Sequence, residues 1–160
     1  MIGAMSYSFA YLCIGLPLKP LEPDVCSFCQ EAIHFGKANA LIVFFQMFRQ
    51  TILNLQLGGD RPTLLTGNAV DQDKILAALE GQAYAMTLRD ISTFRPLLAV
   101  VFGDFEKAAK AAIEALDSVG QKSDIHPLRR ELRLTHTGIA AFGLYRQTEE
   151  RSDIKLWARE

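Results

Sequence analysis

Residues 97–116, LLAVVFGDFEKAAKAAIEAL, run as a helix, a tight turn and a second helix lined with alanine. Gly103-Asp104 breaks the apolar run and forms the turn between the two helices. Beyond the turn, Phe105, Ala108, Ala109, Ala112, Ile113 and Leu116 fall on one face, with Glu106, Lys107, Lys110, Glu114 and Asp117 opposite. Small side chains at a contact let two helices approach at the short end of their usual separation.

The same 3.6-residue period runs through nearly the whole chain, and no stretch alternates with period two for the length of a strand. Asp24, after Pro23, caps a helix carrying Val25, Phe28, Cys29, Ala32, Ile33 and Phe35. A longer helix from Ala38 to Leu57 carries Leu41, Phe44, Phe45, Phe48, Ile52 and Leu55, and Gly58-Gly59 stops it. The loop DRPTLLTGNAV follows, anchored by Leu64-Leu65, and Asp71 caps a short helix through Leu79. The next helix spans Ala83 to Phe102, and Pro96 should kink or split it near Ser92. Helices from Pro127 to about Gln147 and from about Arg151 complete the chain. Helix, Gly-Asp-aromatic turn, then Ala108, Ala112 and Ala115 resembles a tetratricopeptide hairpin, yet no second copy recurs at a period of about 34 residues. The expected fold is therefore all-α: antiparallel helical hairpins in an irregular tetratricopeptide-like array.

Composition limits the partners. The chain has 160 residues, 49% hydrophobic and 22% charged, which suits one domain with a real core. A net charge of -1 gives no electrostatic footprint for nucleic acid or an anionic membrane. MIGAMSYSFAYLCIGLPL, residues 1–18, has no charge, lacks the basic start of a signal peptide and is too polar for a membrane span. It reads as a buried helix with no polar face. Something should cover it through Tyr7, Phe9, Tyr11 and Leu12, so the chain is expected to self-associate at this end.

Reaction chemistry is missing from the motifs. Cys26 and Cys29 have the C-x-x-C spacing, but only Cys13 and His34 lie near, so core packing and reduced, intracellular thiols are the expectation. His34, His126 and His136 are too scattered for a metal trio, and His126 before Pro127 is a loop residue. Asp71 and Asp73 complement a helix dipole. Gly36-Lys37 lacks the rest of a phosphate-binding loop, and no kinase catalytic loop is present. No cofactor is expected.

Three stretches in one order carry a more specific resemblance. The first joins the helix with Arg49, Gln50, Leu53, Asn54 and Leu55 to the loop Leu65-Thr66-Gly67 leading to Asp71-Gln72. The second carries the Gly103-Asp104-Phe105 turn, and the third is the helix led by His126-Pro127 and containing Gly138, Ala140 and Phe142. Together they resemble the helical-repeat region that follows the ATPase module of large STAND-like predicted-ATPase signalling proteins, which often also carry protein kinase or histidine kinase domains. Pro96 departs from that pattern. The resemblance implies a cytoplasmic, non-catalytic regulatory segment of a larger protein, binding neighbouring domains or a partner chain. A second reading is a small helical enzyme or ligand-binding bundle with a pocket lined by Phe44, Phe48 and Phe94, and Arg49, Gln50 and Asn54 as its polar groups. Against it, those three polar groups can instead hold the long loop to the core, because its backbone groups need partners.

Overall fold

The structure, a computed structural model, describes residues 2–118 and 127–148. They form seven helices: α1 (Ile2–Cys13), α2 (Leu18–His34), α3 (Asn39–Leu57), α4 (Gln72–Ala78), α5 (Gly81–Val101), α6 (Phe105–Ser118) and α7 (Pro127–Thr148). No strand occurs among the described residues, where an isolated antiparallel bridge joins Thr66 to Asp71. The fold is all-α, as the periodicity requires. His126 and the helix expected from Arg151 lie outside the described residues.

Turn chemistry sets most helix boundaries. Gly58 ends α3 at φ 67°, its N–H bonded to the Asn54 carbonyl at 2.9 Å. At the end of α5, Gly103 at φ 72° donates to the Val100 carbonyl and Asp104 to that of Ala99, the paired bonds of a Schellman stop. Asp104 then caps α6 by accepting from the Lys107 N–H at 3.2 Å. Two prolines depart from expectation. The second helix begins at Leu18, ahead of Asp24, and encloses Pro23. Pro23 lies at the sixth helical position on the exposed side, where the missing N–H would have served a first-turn carbonyl open to solvent. Pro96 leaves α5 unsplit from Gly81 to Val101; it is buried among packed neighbours that hold the helix on both sides of it.

Short turns put α2 against α3 and α5 against α6, while α6 packs on α7, α3 on α5, and α7 reaches back to α1. In an open stack each unit touches only its neighbours; here the α1–α7 contact closes the helices around a core. At its centre Phe9, Phe44, Phe48 and Phe94 are almost wholly buried, with every pair of ring centroids between 5.4 and 6.1 Å apart. The expected aromatic pocket is therefore filled by its own rings, Phe9 of α1 completing the set. Phe9 is accordingly removed from any covering surface; Ser8 and Phe9 are the buried residues of α1, and Ala4, Met5, Tyr11 and Leu12 pack partly buried against the core. Ile33, Phe35 and Ile113, expected inside, point outward instead. α6 buries Ala108, Ala111 and Ala112, and a satellite cluster joins Ala108 to Ala99 and Ala140.

Candidate functional site

The residues singled out on α3 form a latch for the long loop. Gln50 and Asn54 are one turn apart and nearly buried, and the Gln50 amide donates to Asn54 Oδ1 at 2.7 Å. Gln50 Oε1 accepts the Ala69 N–H at 2.9 Å, while Asn54 Nδ2 donates to the carbonyls of Pro62 at 3.0 Å and Leu64 at 2.7 Å. The pair thus satisfies loop backbone at three points, and Leu65 and Val70 drop into the core beside it. Gly67 lies against the same amide: a Cβ there would sit 2.6 Å from Gln50 Nε2. Thr66 itself is exposed and contributes its backbone to the bridge with Asp71. Asp71 caps α4 from the N–H groups of Asp73 and Lys74, and the Lys74 bonds hold its carboxyl below the usual carboxylate range. Arg49 takes no part, pairing with Glu22 of α2 at 2.5 Å. All three α3 polar groups are committed to structure.

Gly103, Asp104 and Phe105 build the turn expected of them, and a hydrogen bond from Lys107 Nζ at 2.6 Å lowers the pKa of Asp104. Phe105 presses on α7, where a side chain at Gly143 would run into its ring. Ala108 and Ala112 are buried in the helix contact, whereas the side chain of Ala115 lies outside the described residues.

A buried charge pair escaped the sequence reading. Arg129 of α7 brings Nη1 to 2.8 Å from Asp90 Oδ1 of α5, with their side chains 12% and 4% exposed. The guanidinium carbon lies 5.8 Å from the Phe9 ring centroid and 5.5 Å from that of Phe44, so aromatic faces supply part of its solvation. Burial pushes the Asp90 carboxyl up to about 6 against the opposing pull of Arg129 and Arg89. The charges touch without an aligned hydrogen bond on Oδ1, and Arg129 Nε and the buried Thr87 hydroxyl also have no hydrogen-bond partner among the described residues. Nothing in the spacing of Asp90 and Arg129, on separate helices, marks them as partners.

α7 buries the side that a hydropathy reading would leave out. Arg129, Leu132, His136, Ala140 and Gly143, spaced three or four apart, face the other helices. His136 is buried with Nδ1 2.6 Å from the Leu132 carbonyl oxygen, and desolvation lowers its pKa. The outer side carries Ile139, Phe142 and Tyr145, with Phe142 63% exposed. Between α6 and α7 it opens a groove of about 380 Å³ lined by Phe105, Ile139, Phe142, Gly143, Arg146 and Gln147.

Of the cysteines, Cys29 is buried, which raises its thiol pKa, Cys26 is half-buried and Cys13 is exposed; all three are free. No group of three metal-ligating side chains converges among the described residues, and no helix there is long and apolar enough to cross a membrane. The chain matches no protein-family model, no curated protein and no solved structure.

Proposed function

We propose that this chain is a non-catalytic helical module that holds another protein surface, a neighbouring domain or a partner chain, on the outer face of α6 and α7. One observation carries the reading. α7 turns its small and polar residues inward and leaves Phe142, Ile139 and Tyr145 in water beside an apolar groove. Exposing a ring while burying a histidine costs the isolated fold, and contiguous apolar surface of that kind marks an interaction site. Phe142 supplies an aromatic anchor, the side chain type that dominates binding energy in protein contacts, and Arg146 supplies a polar rim. Phe142, at the face, and the Gly103-Asp104-Phe105 turn belong to the stretches resembling the STAND-like helical region. A regulatory, cytoplasmic role beside an ATPase or kinase domain is the form of the proposal that this resemblance favours. The tetratricopeptide-like character is confined in this proposal to the α5–α6 hairpin.

The test is capture of protein partners by the full chain and by Phe142→Asp. Partners held by the native chain and lost in the variant, with its thermal melt unchanged, support the reading. Equal capture by both, or none by either, overturns it.

A further inference from the structure

The groove between α6 and α7 lies where the order of the helices calls for another. α7 packs on both helices before it, and those two, α5 and α6, pack on each other. A helix that followed in the same manner would lie on α6 and α7, along the face that carries Phe105, Ile139, Phe142 and Arg146. Phe142 and Ile139 are exposed there. Gly143, with no side chain of its own, leaves the Phe105 ring as the floor between them.

Twelve residues follow α7 in the sequence, EERSDIKLWARE, and they lie outside the described residues. Their composition suits the groove. In the helix expected from about Arg151, Ile154, Trp157 and Ala158 recur at i, i+3 and i+4, the apolar stripe that a groove between helices receives. Asp153, beside that stripe, is opposite in charge to Arg146 at the rim. The path back is short. Ile139 stands only about 14 Å of helix before Thr148, at a rise of 1.5 Å per residue. An antiparallel connection between helices takes about 2–5 residues, and a return centred on Glu150 brings Trp157 level with Gly143.

We propose, on the reading of this face as a docking surface, that residues 149–160 are its occupant within the chain, Ile154 and Trp157 covering Phe105, Ile139 and Phe142. The contact is non-covalent and regulatory. A neighbouring domain or partner chain reaches the face by displacing this segment, so its apparent affinity falls by the fraction of chains in which the groove is open.

Trp157 is the single tryptophan of the sequence, so its fluorescence reports on this segment alone. Acrylamide quenching of the full chain is compared with that of a synthetic peptide of residues 149–160, whose indole is open to water. The native chain should emit to the blue of the peptide and be quenched severalfold less, with no change on dilution. Phe142→Asp, in the groove, and Ile154→Asp, in the segment, should each return quenching to the peptide's level while the far-UV circular dichroism keeps its helical signal. Native quenching equal to the peptide's overturns the proposal, and so does shielding that survives either variant, which would seat the segment elsewhere. Shielding lost on dilution overturns it too, since the groove would then hold the segment of a second copy. Partner capture is a separate readout. Capture sensitive to Phe142→Asp beside an unshielded Trp157 removes the internal occupant alone, whereas shielding without capture removes the external partner alone.

Discussion

Two regions of this molecule solve helix packing in opposite ways. Around α1, α3 and α5, large rings meet in edge-to-face, tilted and stacked pairs and fill the space between axes: Phe9, Phe44, Phe48 and Phe94. Where α5, α6 and α7 meet, Ala99, Ala108 and Ala140 remove the space, and Gly143 admits the Phe105 ring. The first region is vulnerable to deletion and the second to addition. A dense core tolerates neither voids nor extra methylenes, but each region exposes a different side of that rule.

The largest expected effect is on the aromatic side. Phe48→Ala removes a fully buried ring that touches three others and should destabilise the fold by about 3–5 kcal/mol, read from chemical denaturation. A loss below about 1 kcal/mol would mean that the rings are not packed as described. The charge pair bordering the cluster comes next. Arg129→Ala leaves Asp90 buried without its closest cation and removes the guanidinium from two aromatic faces, a change of about 3 kcal/mol or more. Replacing both partners by Leu and Met should recover most of that loss, since hydrophobic substitutes for a buried pair are often neutral or better. A double variant no more stable than Arg129→Ala would show that the pair contributes more than its geometry suggests.

On the alanine side the sign of the test reverses. Ala108→Leu and Ala112→Leu each add volume to a closed contact and should cost roughly 1–3 kcal/mol through overpacking. The same substitution at Ala109, which is half-buried, should cost less. Equal effects at the three positions would dissolve the contrast between the two regions. Smaller still is the latch: Asn54→Ala removes two bonds to loop carbonyls and one to Gln50, and a loop that can reopen to water recovers part of the loss. About 1 kcal/mol is expected, with faster amide exchange at Leu65 and Ala69 as its local signature.

The two regions also differ in how openly the sequence displays them. The face of α3 is legible because six apolar residues repeat at helical spacing before a clear glycine stop, and the α5–α6 turn because glycine and aspartate each do a stereochemically defined job. Gln50 and Asn54 were legible as a pair at i and i+4 facing a loop in need of partners. α7 was not. Periodicity shows which residues share a face, but hydropathy chooses the buried face, and here it chooses Ile139 and Phe142 over Arg129 and His136. Ile33 and Phe35 misled in the same way at the end of α2, where both side chains are exposed. The Asp90–Arg129 contact depends on the tertiary fold alone, which no local pattern encodes.

The last effect is one of pH, and it sets the two groups facing the α5 and α7 contacts against each other. Asp90 has a folded pKa of about 6, above its ordinary 3.8, so its contribution to stability is fully present below about pH 4 and is lost as pH rises through 6. His136 has a folded pKa below its ordinary 6.5, so its contribution is present above 6.5 and is lost as pH falls through the folded value. Over the acid side of neutrality the two slopes oppose, and the native chain should show a shallow dependence of stability on pH. Asp90→Asn, which keeps the shape, should leave the histidine's slope, with stability rising with pH. His136→Gln should leave the carboxylate's, with stability falling as pH rises from 4 to 6. Denaturation midpoints of the three chains across that range decide it. If both variants sloped the same way, at least one of these groups would not sit in the environment assigned to it, and the inward face of α7, on which the exposure of Phe142 depends, would have to be redrawn.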